Sequence, residues 1–162
     1  MLRSNQLAGF GRRRGGSFSG DGNPLLGTFT GYTLGGITVS ADTEYNGNFP
    51  AWEAFDQTTQ FWNSTNTAAP HWLKVDFGSS QIVYKYSITG RGSTNDIRDF
   101  ELQGSDNNNT WTTLDTQIDK GISGLAVEYV LASSATYRYF RLYMTDNNGG
   151  GGYSVVALQL YD

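Results

Sequence analysis

From residue 37 onward, hydrophobic and polar positions alternate in short runs that are separated by clusters of Gly, Asn, Asp and Ser. Ile82, Tyr84, Tyr86 and Ile88 fall on one face of an extended chain, and the segment 137–145 repeats this period of two. Such alternation is typical of a strand with one buried face. Eight segments of this kind predict an antiparallel sandwich. They are 37–40, 71–77, 81–89, 99–105, 110–114, 124–131, 137–145 and 153–161.

Two of the connections carry their own signals. Residues 105–111 place an Asp-Asn-Asn-Asn run between two strands, which predicts a hairpin tip. Residues 50–55 predict one helical turn, because Pro50 suits the first helical position and Trp52 and Phe55 are three residues apart.

Composition supports a single all-β domain. The chain has 162 residues, of which 14% are aromatic and only 16% charged, and it contains 21 glycines. Aromatic residues favour strands, and the length fits about one domain. Cysteine is absent and His71 is the single histidine, which excludes disulfide frameworks, thiolate zinc sites and histidine triads. No pair of carboxylates has flanking residues typical of general acid catalysis, so we expect no enzymatic activity and no catalytic residue.

No run approaches the about 20 apolar residues that a membrane-spanning helix needs, so we predict no membrane span. The first residues also lack the apolar segment of a secretory signal.

The first 36 residues differ from the rest. Residues 1–20 carry four arginines and no acid, whereas residues 21–162 hold 7 basic and 15 acidic residues. Ten of the first 36 residues are glycine, and the apolar residues among them follow neither a helical nor a strand period. We therefore predict an extended N-terminal arm, residues 1–36, followed by a sandwich domain, residues 37–162.

Three interpretations of the arm are open: a solvated tail, a nucleic-acid contact, or a segment that becomes ordered against a protein neighbour. Four charges give weak affinity for nucleic acid at physiological salt, so that partner is disfavoured. Scattered Leu and Phe residues favour a protein partner, either a particle lattice or identical subunits. The predicted anchoring residues are Leu7, Phe10, Arg12, Arg13, Arg14 and Phe18.

Short motifs follow one another along the body of the chain. They lie at 54–56, 61–64, 72–78, 99–106, 110–111, 137–142 and 157–161. Their order resembles the discoidin or coagulation-factor type C family, whose galactose-binding-like domains include many carbohydrate-binding modules. The resemblance covers residues 37–161 and implies a jelly roll of five plus three strands with ligand-binding loops at one end.

The resemblance also bears on metal binding. Many members of this family hold a calcium ion with the loop after Asp56 and a glutamate near the C-terminus. Ala157 stands at that glutamate position, and the interval from Asp56 to Trp62 is one residue shorter than usual. We therefore expect no metal and no cofactor, with Asp56 as the weak calcium alternative.

Several residues of these motifs predict a structural role. Asp76 is expected to accept hydrogen bonds from a turn, and Arg138 and Arg141 to be stacked or paired on the sheet. Large aromatics dominate core energetics, so the tryptophans are interpreted as core anchors rather than sugar platforms. The predicted core includes Trp62, Trp72, Trp111, Phe100, Leu102, Phe140 and Leu142.

The loops contain the aromatic and planar polar groups that recognise sugars. Arg91 is the strongest candidate because it stands between two glycines at a strand end, and His71 is interpreted as structural. The alternative is that Asn and Gly only form turns and that the tyrosines are ordinary surface. The glycan-binding candidates are Arg91, Asn95, Tyr45, Phe49, Asn147 and Tyr153.

The arm and the domain together resemble small virion proteins of tailed bacteriophages that carry discoidin-like domains. The preferred interpretation is therefore a virion structural or decoration protein whose outer domain adheres to host-surface glycans. A free lectin or a module of a secreted glycoside hydrolase, which would be extracellular, is the alternative. A particle component with vestigial ligand loops is the third interpretation.

Overall fold

A computed structural model describes residues 22–162 of the chain. It contains nine strands and one short 3₁₀ helix over these residues. The strands are β1 (Thr33–Leu34), β2 (Ile37–Ala41), β3 (Trp62–Asn63), β4 (His71–Thr89), β5 (Ile97–Ser105), β6 (Thr112–Gln117), β7 (Ala126–Asn147), β8 (Ser154–Val155) and β9 (Ala157–Tyr161), and the 3₁₀ helix is Ala51–Phe55.

The strands pair antiparallel in the order β1-β2-β4-β7-β5-β6, with β9 added to β4 and with β3 pairing β8. β4 and β7 are long because each combines two predicted segments across register shifts between Asp76 and Gln81 and between Val83 and Lys85. The first part of β4 pairs with β2, whereas its last part pairs with β9. The predicted all-β antiparallel architecture is confirmed.

The core confirms the period of two in most strands, but the register shift between Val83 and Lys85 breaks the predicted face of Ile82, Tyr84, Tyr86 and Ile88: Val83 is buried and Ile82 is exposed. Trp62, Phe100, Leu102, Phe140 and Leu142 are all buried.

Two predicted core residues are wrong. Trp72 lies between the inward-pointing His71 and Leu73, so the strand alternation turns it toward the outer face of the sheet, where it is partly exposed. Trp111 precedes β6 at the end of the hairpin 105–111 and is also partly exposed. Neither tryptophan belongs to the buried core.

The predicted boundary after residue 36 also requires correction. Leu26 and Phe29 are 3% and 1% exposed and pack in the core, and the Phe29 ring lies 5.9 Å from the Phe55 ring. Gln159 binds the backbone of Leu26 at both its N–H and its carbonyl. Residues 22–36 are therefore part of the domain. The sequence pattern does not predict this, because single apolar residues such as Leu26 and Phe29 can be buried in the core without a periodic pattern around them. The predicted anchoring residues Leu7, Phe10, Arg12, Arg13, Arg14 and Phe18 lie outside the described residues.

The helical turn predicted at 50–55 is present, with Pro50 as its N-cap and not as its first residue. No helix among residues 22–162 is long and apolar enough to cross a membrane.

Two tyrosines with raised pKa values, the buried Tyr86 and the more exposed Tyr32, predict a pH dependence of stability. Burial, together with the 2.8 Å hydrogen bond that Tyr86 donates to Asp115, raises the pKa of Tyr86 above the usual value. Burial and the hydrogen bond to Glu44 raise the pKa of Tyr32 to about 12. Phenols of the unfolded chain ionise near pH 10, so stability is complete below about pH 10 and falls as the pH rises above it.

Urea unfolding between pH 7 and pH 11 checks this prediction. Tyr86→Phe should cost about 1 kcal/mol at pH 7 from the lost hydrogen bond and should make the alkaline decrease shallower. An equally steep decrease in the variant would show that Tyr86 does not contribute to it.

Candidate functional site

Loops from three parts of the chain meet at one end of the sandwich. Backbone hydrogen bonds join them: the Tyr45 N–H donates to the Asn63 carbonyl at 2.8 Å, and the Ser154 N–H donates to the Asn95 carbonyl at 2.8 Å. The Gly150 N–H donates to the carbonyl of Thr94 at 2.9 Å. The Asn63 side-chain oxygen also accepts from the Asn95 amide at 3.4 Å, so the loops 42–50, 90–96 and 147–153 form one surface.

Asp96 fixes the conformation of the loop that carries Arg91. Its buried carboxylate accepts hydrogen bonds from the backbone N–H groups of Arg91, Gly92 and Ser93 at 2.5–2.8 Å and from the Ser154 hydroxyl at 2.9 Å. Gly92 has φ +84, a left-handed conformation that suits glycine. The loop backbone is held in place before any ligand arrives.

The Arg91 side chain is exposed and lies over an aromatic ring. Its guanidinium carbon is 4.2 Å from the Phe61 ring centroid. Phe61 stacks on Phe49 at 4.8 Å, and Tyr45 continues the row 6.3 Å from Phe49. Together, Arg91, Phe61, Phe49 and Tyr45 are termed the loop-end cluster. Within residues 22–162, no carboxylate lies within 4.0 Å of the Arg91 nitrogens, so its hydrogen-bond donors face solvent.

Phe61 was missed by the sequence analysis, although a signal for it was present. Trp62 was expected in the core, and a period of two turns the residue before it to the opposite side. Phe61 is partly exposed, as that alternation requires.

Two predicted glycan contacts lie inside the loops instead. Asn147 is 7% exposed, and its amide nitrogen donates to the carbonyls of Gly150 and Gly152 while its oxygen accepts from Gly149 and Gly150 N–H groups. Tyr153 is 5% exposed, with its ring 5.0 Å from the His71 ring. Both side chains organise the site rather than face a ligand.

Asn95 is intermediate in exposure between the loop-end cluster and the buried residues Asn147 and Tyr153. It is partly exposed, and its amide nitrogen donates to the Asn63 side-chain oxygen at 3.4 Å. A Cβ on Gly150 would come within 1.9 Å of the Asn95 oxygen, so the two loops touch at this point. Asn95 therefore holds the loop surface together beside Arg91.

His71 is structural, as expected. The ring is buried, with Nδ1 2.7 Å from the Asp42 carboxylate and Nε2 3.2 Å from the Thr67 carbonyl. Both ring nitrogens have partners, so neither is free to act as a general base.

The residues near Asp56 do not fit a calcium ion. Both Asp56 carboxylate oxygens accept hydrogen bonds from Thr58, from its N–H and its hydroxyl, each at 2.8 Å. Between residues 22 and 162, no three His, Cys, Asp or Glu side chains converge to hold a metal ion. Ala157 offers no carboxylate, so the anionic ligand expected near the C-terminus is absent.

Solved structures with the same fold include sugar-binding modules. Chitosan-binding module 1 of a chitosanase/glucanase from Paenibacillus sp. IK-5 is 26% identical, with a TM-score of 0.68 over 78% of this chain and 96% of that chain. The family 32 carbohydrate-binding module of Clostridium perfringens NanJ, in complex with galactose, is 25% identical, with a TM-score of 0.65 over 78% and 93% of the two chains.

A third similar structure supports only the assignment of the fold, because its sequence identity is low. It is the CBM32-5 module of a Clostridium perfringens GH89 protein in complex with GalNAc-β-1,3-galactose, 20% identical, with a TM-score of 0.70 over 79% of this chain and 96% of that chain.

Comparison with curated protein sequences found no match. Comparison with protein families matched residues 37–158 to the F5/8 type C domain. This match covers most of the described sandwich, and the chain belongs to the F5/8 type C domain family.

Proposed function

We propose that this domain is a non-enzymatic glycan-binding module that holds a sugar on the loop-end cluster. The observation that carries the proposal is the Arg91 guanidinium, which is exposed, stacked on Phe61, and set on a loop whose backbone Asp96 fixes. A preorganised binding group loses little conformational entropy when a ligand arrives.

The chemistry of the loop-end cluster suits a sugar. Aromatic faces such as Phe49 and Tyr45 contact the C–H groups of a pyranose, and the planar guanidinium of Arg91 donates hydrogen bonds to its hydroxyl oxygens. The galactose complex and the chitosan-binding module among the similar structures support a saccharide as the ligand. A single small site of this kind binds weakly, and useful affinity requires many copies.

The carboxylates near the site support binding rather than hydrolysis. Asp96 is committed to four hydrogen-bond donors, and one Asp99 oxygen accepts the N–H of Asp119 at 2.8 Å. Two carboxylates that face each other across a sugar would be needed for general acid catalysis, and Asp96 is buried.

Arg91→Ala is expected to weaken glycan binding at least about tenfold, since it removes a charged donor group and uncovers Phe61. The melting temperature should stay within a few degrees, because the loop is held by backbone hydrogen bonds to Asp96. A glycan array probed with protein displayed in many copies, including galactosides and chitosan oligomers, checks the binding.

Lys120→Ala is the matched control, because Lys120 is another exposed cation. Its binding should equal that of the wild type. An array that stays blank with multivalent wild-type protein would contradict the proposal and would favour the interpretation in which the ligand loops are vestigial.

The setting of the module is a further part of the proposal. Residues 1–20 carry four arginines and no acid, in contrast to the acidic remainder of the chain. This contrast suits a segment that binds an acidic protein surface, so we place the module on a virion that displays it toward host glycans. A free lectin, or a module of a secreted glycoside hydrolase, would use the same loop-end cluster and fits the comparisons equally well.

A further inference from the structure

The outer face of the sheet carries aromatic and cationic side chains where the start of β4 pairs with the end of β7. In the register of β4 and β7, Trp72 lies opposite Tyr143 and Lys74 lies directly opposite Arg141. Trp111 lies beside them, and all five side chains are partly exposed. These five residues are termed the sheet-face patch. Like charges directly opposite each other destabilise a sheet, so the Lys74 and Arg141 pair has a cost that the fold alone does not explain.

Neither cation has an acidic partner in the part of the chain that the structure describes. No carboxylate oxygen between residues 22 and 162 lies within 4.0 Å of the charged nitrogens of either residue. Arg141 donates from Nε to the Gln103 side-chain oxygen at 2.6 Å, and Lys74 donates to the Asn108 side-chain oxygen at 3.0 Å. Both acceptors are neutral amides, so neither cation forms a salt bridge there.

The terminal nitrogens of Arg141 remain available. Among residues 22–162, only the Nε of this guanidinium donates to a protein acceptor. Glu101, the nearby acid, instead accepts from the Gln103 amide at 2.7 Å and from the Thr113 hydroxyl at 2.8 Å. Burial lowers the pKa of Arg141, opposed by the attraction of Tyr143 and Glu101. Burial also lowers the pKa of Lys74, opposed by the attraction of Asp76 and reinforced by the Arg141 charge, which agrees with a partly desolvated cation pair.

Aromatic rings hold both cations in place. The Arg141 guanidinium carbon lies 4.1 Å from the Trp111 ring and 4.8 Å from the Tyr143 ring, and the Lys74 nitrogen lies 4.9 Å from the Trp72 ring. A stacked guanidinium keeps its planar pair of N–H groups in one orientation, which matches the two oxygens of a carboxylate. The flanking rings offer apolar faces to the C–H groups of a sugar.

We propose that the sheet-face patch is a second carbohydrate site, specific for a polysaccharide that carries carboxylates, such as a polyuronate. The two cations of the patch, Lys74 and Arg141, are complementary to the carboxylates of such a polymer. Residues 21–162 hold 15 acids against 7 bases, a balance that opposes a densely charged polyphosphate. The arginines of residues 1–20 would be repelled by Lys74 and Arg141, so this segment does not suit the patch. This proposal is independent of the loop-end cluster.

Affinity electrophoresis through gels containing polygalacturonate tests the proposal, with fully methyl-esterified polygalacturonate as the neutral control polymer. Wild-type protein should be retarded by the acid polymer and not by the ester. Lys74→Gln and Arg141→Gln should each weaken binding about tenfold, since each removes a charge-assisted contact. Lys85→Gln is the matched control, because Lys85 also lies over an aromatic ring, Tyr161, but is paired with Glu128 at 2.9 Å.

Two further measurements distinguish binding at the sheet-face patch from binding at the loop-end cluster. Indole N–H resonances of Trp72 and Trp111 should shift on titration with oligogalacturonate, while that of the buried Trp62 should not. Arg91→Ala should be retarded like the wild type, so failure of one site is distinguishable from failure of the other. The proposal is overturned if the wild type is not retarded, if both patch variants behave like the wild type, or if Arg91→Ala alone abolishes retardation. A wild-type dimer in sedimentation that Arg141→Gln dissociates would overturn it in favour of a second copy of the chain.

Discussion

Deleting residues 1–36 is expected to unfold the domain, whereas deleting residues 1–21 is expected to leave its melting temperature nearly unchanged. The longer deletion removes Leu26 and Phe29 from the core and leaves the Gln159 side chain buried without its partners on Leu26. Loss of a buried Leu or Phe costs about 2–5 kcal/mol each, and a domain has only about 5–15 kcal/mol in total. Circular dichroism melts of both deletions check this result.

A point variant separates side-chain packing from the backbone contacts of the segment. Phe29→Ala should cost about 3–5 kcal/mol, because the ring is buried against Phe55. Phe49→Ala, at the partly exposed loop-end cluster, is the control and should cost much less. A folded, fully stable protein without residues 22–36 would show that the segment only rests on the domain.

The same pair of deletions tests the anchoring proposal. The protein without residues 1–21 should remain folded and lose its attachment to a particle, since all four N-terminal arginines are gone. Normal incorporation of that folded deletion into the source particle would contradict the role of this segment in anchoring.

Trp62→Ala is expected to be the most damaging single tryptophan substitution among Trp62, Trp72 and Trp111. Trp62 is buried, and its indole N–H donates to the Thr43 carbonyl at 2.9 Å. Truncation should cost about 3–5 kcal/mol and lower the melting temperature by about 6–20 °C. Thermal melts of the three alanine variants at one protein concentration give the comparison.

Trp72→Ala and Trp111→Ala should each cost about 1 kcal/mol, because both rings are partly exposed and chiefly lose contacts with Lys74 and Arg141. If Trp72→Ala lowered the melting temperature as much as Trp62→Ala, the outward orientation of Trp72 would be wrong.

Much of the fold was predictable because alternation reports which face of a strand is buried. That pattern identified Phe140 and Leu142, and the same rule, applied to Leu73 and Val75, would have turned Trp72 outward. The prediction that Trp72 is buried rests on residue type and not on strand position, because a large aromatic is costly to leave in water. The cation over the ring removes part of that cost, and cross-strand pairing of Lys74 with Arg141 has no local sequence signal.

Residues 22–36 and the candidate site show what the sequence pattern cannot predict. Phe29 has no periodic neighbours, so only the tertiary structure reveals that the core receives it. Arg91 was found because a charged residue between two glycines has little local packing, whereas Asn147 and Tyr153 were assigned to the ligand by type alone. Their burial depends on how loops from distant parts of the chain fit together, as with Asn147 and the carbonyl of Gly152.

The pairing of the N-terminal segment with the last strand sets the order in which this domain can be completed. Leu26 and its partner Gln159 are 133 positions apart, and the Leu25 N–H donates to the Leu160 carbonyl. During synthesis, Leu26 and Phe29 have no finished surface to bury against until β9 has left the ribosome. Contacts this distant in sequence slow folding, so the domain should close late and require protection from aggregation until it does.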